Sequence, residues 1–231
     1  MENTKKRIPV NEDFFKKWSS EMAYVLGYFT ADGCMFINPR GSRYILFTST
    51  EPELIYKTRK LINSNHKVGI QKSKNPKWKD KCTLQIGSKK MFQDLLNLNL
   101  TPNKSKTVKL PKIPKKYFNH FLRGYFDGDG CIFFNIYTRR KSKSLHYVIC
   151  AIFISVNENF LKDILKYIRK YANIDKGKIY KKSKNSGFEL RFADKNSVLK
   201  LYKFMYQNTQ ASQFLERKHL VFKKILNHWG A

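Results

Sequence analysis

Asp32 and Asp129 close two nearly matching stretches, VLGYFTADGC at 25–34 and LRGYFDGDGC at 122–131. The offset is constant: Gly27 to Gly124, Asp32 to Asp129 and Cys34 to Cys131 all differ by 97. Each copy has a small residue at Gly27 or Gly124, another four on at Ala31 or Gly128, then an acid and a glycine. Small residues at i and i+4 share one helix face, where a second backbone can come close. The glycine after the acid predicts a left-handed stop at Gly33 and Gly130, with the acid in the last helical turn. That turn carries the negative end of the helix dipole, an unfavourable place for a carboxylate. Two such helices packed through their small faces would set Asp32 beside Asp129. Like charges so placed raise a pKa or recruit a cation. Hard divalent ions such as Mg²⁺ bind through one or two carboxylates, keep water, and generate a nucleophile near phosphates.

Val25–Gly33 and Leu122–Gly130 resemble the paired motifs of the LAGLIDADG homing endonucleases, in the monomeric form with two motifs in one chain. Thr30 departs from the family's first acid, which Asp127 retains. The resemblance implies metal at Asp32 and Asp129 with the adjoining Ala31 and Gly128. Mg²⁺ is the expected ion, and Mn²⁺ or Ca²⁺ could occupy the same place. It also implies a catalytic lysine after each half's last helix, matched here by Lys104 in PNKSK and Lys218 in LERKHL.

The elements needed to hold this pair repeat as well. A charged lead-in, 1–18, carries Phe14, Phe15 and Trp18. The first half, 19–100, reads as a motif helix capped at Ser19 or Ser20, strands Cys34–Asn38 and Tyr44–Thr50, a helix after Pro52, strands Val68–Ser73 and Cys82–Ile86, and a helix Ser88–Leu98. Residues 101–115, TPNKSKTVKLPKIPK, read as a linker. The second half, 116–231, repeats the order and adds a helix over Gln213–Trp229. The later offset is 106, as for Phe47 to Phe153 and Leu84 to Leu190, so nine extra residues (106 − 97) fall in the first hairpin of the second half, around TRRKSKSL. The resemblance implies an α+β fold for this order, two pseudo-symmetric αββαββα halves forming a curved antiparallel DNA-binding sheet backed by helices.

Lys and Arg number 46 against 17 Asp and Glu, a net charge of +29. Such an excess repels itself unless a polyanion is present, and nucleic acid fits better than an anionic membrane. No run approaches the 18 apolar residues of a membrane span and no apolar signal core opens the chain, which predicts a soluble, intracellular protein, in a bacterial cytoplasm or an organelle. The four cysteines, Cys34, Cys82, Cys131 and Cys150, have no zinc-ligand spacing, and Cys34 and Cys131 are expected to line a surface.

Alternation within strands sorts residues toward or away from the helices. Met35 and Ile37, and Ile132, Phe134 and Ile136, take the core side. That leaves Cys34, Phe36, Asn38 and Arg40, with Cys131, Phe133, Asn135, Tyr137 and Arg139, facing outward, and Arg140 follows in the basic hairpin tip. In the fourth strands Leu84, Ile86, Leu190 and Phe192 are core-like, which turns out Thr83, Gln85, Glu189 and Arg191. Arg reading guanine, Asn or Gln reading adenine and Glu accepting from cytosine are side chains of major-groove recognition. Tyr44–Thr50 supports either parity.

Three functions fit this pattern: a site-specific double-strand DNA endonuclease cutting a long non-palindromic target, an RNA maturase acting on its host intron, and a non-cleaving DNA-binding regulator. Retention of both acids speaks against the third. With no splicing-domain sequence around it, the chain reads as a freestanding, intron-encoded monomer.

Overall fold

A computed structural model describes residues 8–138, 144–183 and 186–229. Helix α1 spans Ser20–Asp32, and Ser19 caps it by accepting from the Met22 amide at 3.0 Å. Strands β1 (Gly33–Ile37) and β2 (Arg43–Ser49) follow, then α2 (Pro52–Leu61), β3 (Val68–Gln71), β4 (Lys81–Gly87) and α3 (Lys89–Asn97). After two short 3₁₀ turns the series returns as α4 (Phe118–Asp129), β5 (Gly130–Thr138), β6 (Leu145–Ser155), α5 (Glu158–Ala172), β7 (Lys178–Lys181), β8 (Phe188–Phe192) and α6 (Lys195–Tyr206). Helix α7 (Glu216–Trp229) closes the described chain. The two antiparallel sheets have the same order, β1-β2-β4-β3 and β5-β6-β8-β7, so this is an α+β protein of two equivalent halves.

The core lies between the helices and one face of each sheet. Ile45, Phe47, Leu84 and Ile86 in the first half, and Ala151, Phe153, Leu190 and Phe192 in the second, are fully or almost fully buried. The pairing settles β2: Phe47 sits opposite Gly33 and Leu84, which turns Tyr44, Leu46 and Thr48 to the other face. Phe14 and Phe15 of the lead-in are buried against the first half, as their apolar character predicts.

Residues 101–115 are more than a tether. Lys104 and Val108 are buried, and Asn157 Nδ2 donates to the carbonyls of Lys106 and Val108 at 3.1 Å each, fastening the connection to the second half. The nine extra residues lie where the changed offset predicts. Gly33 pairs with Phe47 but Gly130 with Phe153, and the surplus mostly lengthens β5 and β6 beyond their counterparts.

Three local expectations fail for identifiable reasons. Gly33 and Gly130 are extended, at φ −79° and −104°, not left-handed. Each passes straight from helix to strand, and glycine is needed for space: a Cβ on Gly33 would lie 2.2 Å from the Phe29 ring, and one on Gly130 2.4 Å from the Phe126 ring. Ile37 is 53% exposed and Ile136 46%, although their parity is that of the core: Ile37 is the last residue of β1 and Ile136 lies near the hairpin end of β5. Asn38 lies in the turn after β1, where its Oδ1 accepts from the Arg40 and Ser42 amides at 3.1 and 2.8 Å, so strand alternation does not govern Asn38 or Arg40.

Candidate nucleic-acid interface and active site

Helices α1 and α4 meet through their glycines. A Cβ on Gly27 would lie 2.0 Å from the Phe121 carbonyl oxygen, and one on Gly124 1.9 Å from that of Tyr24. No side chain fits there, so the backbones themselves are in contact and the helix ends converge. At the next small pair, a Cβ on Gly128 would lie 2.5 Å from the Ala31 Cβ and 3.1 Å from Asp32 Oδ2. The contact thereby delivers Asp32 and Asp129 to one place, at the negative ends of two helices.

Asp32, Gly128 and Asp127 share the lining of a groove with Thr48, Thr50, Glu51, Lys81 and Arg217. Asp32 is exposed and lines the groove, and Asp129, near enough for its charge to act on Asp32, is half-buried. Partial desolvation first, and the Asp129 charge second, push the Asp32 carboxyl up to about 7 against the pull of Lys218 and Lys104. Desolvation also raises Asp129, opposed by Lys104, Lys218 and Lys182. An acid pair whose surroundings disfavour its charge is a place where a cation would relieve electrostatic strain.

The two lysines arrive as equivalents from different local structures. Lys104 stands in a 3₁₀ turn and its Nζ donates to the Gly33 carbonyl oxygen. Lys218, in the first turn of α7, donates to the carbonyls of Phe126, Asp127 and Gly130 at 2.7, 2.8 and 2.6 Å. Each cation therefore covers the C-terminal carbonyls of the helix that carries an acid, where cations are favoured. Burial lowers both lysines, offset for Lys104 by Cys34, Asp129 and Asp32 and for Lys218 chiefly by Asp127.

The Asp127 carboxyl is buried and engaged by other groups. Its Oδ2 accepts from Tyr24 Oη and from the Leu215 amide, each at 2.8 Å, so it caps the start of α7. Thr30, its counterpart, has no such helix to cap and donates instead to its own Leu26 carbonyl at 2.7 Å. The missing acid in the first copy thus has a structural cause. His219 is nearly buried and stacks on Tyr202, a packing role.

Ala31 and Gly128 sit one residue before the acids, in a final turn whose carbonyls lack a residue four on to bond them. Two carboxylates and two such carbonyls make an all-oxygen donor set suited to a hard divalent ion. Among the described residues no cluster of three or more His, Cys, Asp and Glu could complete a shell. Water and phosphate oxygens would have to do so, the habit of Mg²⁺.

On the outward faces, Cys34, Phe36, Thr83 and Gln85 in the first half, and Cys131, Phe133, Asn135, Tyr137, Glu189 and Arg191 in the second, have the parity opposite to the core. Arg139 and Arg140 lie outside the described residues. Neighbouring strands add residues that alternation within one strand could not assign. Tyr44 stacks on Phe36 at 5.2 Å, His146 on Tyr137 at 5.8 Å, and Tyr180 lies opposite Glu189 with Arg191 over its ring at 5.0 Å. Cys34 and Cys131 are exposed free thiols on this surface.

Two family models match: a LAGLIDADG-like domain over residues 19–98 and a LAGLIDADG endonuclease over residues 122–227. No curated protein sequence matches the chain. Among solved structures, the I-LtrWI LAGLIDADG homing endonuclease bound to target DNA is similar at TM-score 0.56 and 14% identity, covering 94% of this chain and 92% of that one. The I-SmaMI LAGLIDADG homing endonuclease bound to cleaved DNA matches at TM-score 0.58 and 11% identity, with 93% and 91% covered. I-SmaMI bound to an uncleaved DNA target in the presence of calcium ions matches at TM-score 0.57 and 12% identity, with 93% and 92% covered. At these identities the likeness is one of fold.

Proposed function

Because this chain belongs to the LAGLIDADG endonuclease family, with one motif domain in each half, we propose that it is a site-specific double-strand DNA endonuclease. The observation that carries this reading is the convergence of Asp32 and Asp129 across the Gly27–Gly124 helix contact, with Asp32 in the lining of a groove beside the first half's strands.

Asp32 and Asp129, with the carbonyls of Ala31 and Gly128, would hold divalent ions, Mg²⁺ foremost. Bound there, such ions supply an activated water and stabilise the leaving oxygen of an in-line displacement at phosphorus. The chain's own groups do the rest. Lys104 and Lys218 fix the helix ends that present the acids and place positive charge beside a phosphate whose negative charge grows in the transition state. All three donors of Lys218 are engaged with carbonyls, so it acts through charge and positioning, whereas Lys104, whose Nζ makes one hydrogen bond among the described residues, has donors left for phosphate or water. The net charge of +29 supplies sequence-independent affinity, and the outward residues supply choice.

Both halves and both acids stand in one chain, and a monomer suffices to make the site. Their outward residues differ, Thr83 and Gln85 corresponding to Glu189 and Arg191, so each half reads its own side and the target is non-palindromic. The test is Mg²⁺-dependent cleavage of a randomised duplex library with sequencing of the ends. One long asymmetric site with both strands cut supports the proposal, and intact DNA under conditions where the protein binds it refutes cleavage.

A further inference from the structure

The connection between β3 and β4, residues 72–80, is a built loop with an unusual occupant. Asp80 accepts from Lys72 Nζ at 2.7 Å and from the Ser73 amide at 3.0 Å, closing its base. Asn75 organises its tip, accepting through Oδ1 from the Lys77 amide and through its carbonyl from the Trp78 amide, both at 3.0 Å. Lys79 Nζ lies 3.0 Å from Glu51 Oε1, which also meets Arg217 Nη2 of α7 at 3.3 Å, so the loop is tied across both halves. Yet Trp78, with its backbone so fixed, is 72% exposed, and among the described residues its ring meets no other ring and no cation.

Charge around the indole is one-sided. Lys72 and Lys79 are matched by Asp80 and Glu51, but Lys74, Lys77 and Lys81 have no ion-pair partner among the described residues. Thr50 and Lys81 line both the groove beside Trp78 and the groove that holds Asp32, so the two are continuous. The equivalent β7–β8 connection, 182–187, is three residues shorter and contains no aromatic residue.

We propose that Trp78, with Lys74, Lys77 and Lys81, forms a strap that grips duplex DNA beside the cleavage centre on the first half's side only. The indole packs on a nucleotide and the ammonium groups take phosphates. This rests on the endonuclease reading above and adds a contact between sheet and catalytic groove. A flat aromatic ring among unpaired cations suits a base or sugar flanked by phosphates. An acidic peptide would satisfy the lysines but gives no reason for continuity with the Asp32 groove.

The experiment compares the full chain with its Trp78→Phe, Trp78→Ala and Lys74→Ala/Lys77→Ala variants, using a labelled random-sequence duplex for affinity and tryptophan fluorescence for contact. Because Trp78 is exposed, thermal unfolding should be unchanged in all of them. Duplex should quench wild-type fluorescence and quench Trp78→Phe much less at equal saturation. Trp78→Ala should bind about tenfold more weakly, with Trp78→Phe restoring most of the loss. The double lysine variant should lower the salt slope of log Kd by about two. Equal quenching in wild type and Trp78→Phe while DNA is bound overturns the strap and leaves the endonuclease reading standing. Absence of duplex binding by the wild type overturns both, and quenching by an acidic peptide but not by duplex replaces DNA with protein as the occupant.

Discussion

Arg191 and Glu189 hold each other on the outward face of β8: Arg191 Nη2 lies 2.5 Å from Glu189 Oε2, and Nε donates to the same oxygen at 2.7 Å. The guanidinium is thereby aimed before DNA arrives, with Tyr180 beneath it. A restrained arginine loses less rotamer freedom when it engages a base edge. Arg191→Ala should relax preference at one or two base pairs on the second half's side, by about 1–3 kcal/mol. Glu189→Ala should broaden the same positions by a smaller amount, because Arg191 stays but is no longer oriented. Cleavage of a library with every position varied reads both, and a uniform loss across positions would mean that Arg191 contacts backbone only.

Asp32→Asn or Asp129→Asn should abolish cutting while leaving DNA affinity within about tenfold, since on the proposed reading each removes a metal ligand and little phosphate contact. A single mutant that cuts both strands near the wild-type rate with Mg²⁺ places the chemistry elsewhere.

The same acid pair should cost stability without metal. The folded-state pKa of Asp32, about 7, is raised above its unfolded value, so its charge destabilises the fold fully above about pH 7. That penalty fades as pH falls from 7 toward the unfolded carboxylate range. With allowance for solvent at the exposed carboxyl, Asp32→Asn should stabilise the metal-free protein at pH 8 by about 1 kcal/mol and have little effect near pH 4. Chemical denaturation at the two pH values measures this, and an equal effect at both contradicts it.

Metal affinity should follow the opposite branch of that titration. A protonated Asp32 is a poor ligand, so Mg²⁺ or Ca²⁺ binding releases a proton and weakens as pH drops below about 7. Isothermal titration in buffers of different ionisation enthalpy reports the released proton, and affinity that does not change with pH through the titration of Asp32 would place the ion on other groups.

Gly27→Ala or Gly124→Ala forces a methyl into a backbone oxygen about a van der Waals radius away, which relaxed side chains cannot relieve. Each should destabilise by about 3 kcal/mol or more and lower cleavage further, because the acids separate as the helices do. Gly41, whose Cβ would meet open space but whose φ is +77°, provides the contrast: Gly41→Ala should cost about 1 kcal/mol through backbone strain alone and leave cleavage intact. Thermal unfolding and cleavage rates measured together separate the two.

Much of this protein could be read from its chain because the determining signals are local and doubled. The repeat at an offset of 97 fixes which acids correspond, the change to 106 locates the lengthened hairpin, and alternation in β4 and β8 marks the face carrying Thr83, Gln85, Glu189 and Arg191. What remained depended on neighbours distant in sequence. The parity of β2 was settled by its pairing with Gly33 and Leu84, since YILFTST is apolar on both faces. Ile37 and Ile136 are exposed toward the hairpin ends of their strands, which strand alternation does not encode. Gly33 and Gly130 are glycines because of the Phe29 and Phe126 rings rather than a left-handed turn, and the two reasons leave the same letter in the sequence. Asp127 became a helix cap and Lys218 a clamp on three carbonyls only through contacts some 90 residues away, since hydrogen-bond geometry is set by the packed fold and not by residue type.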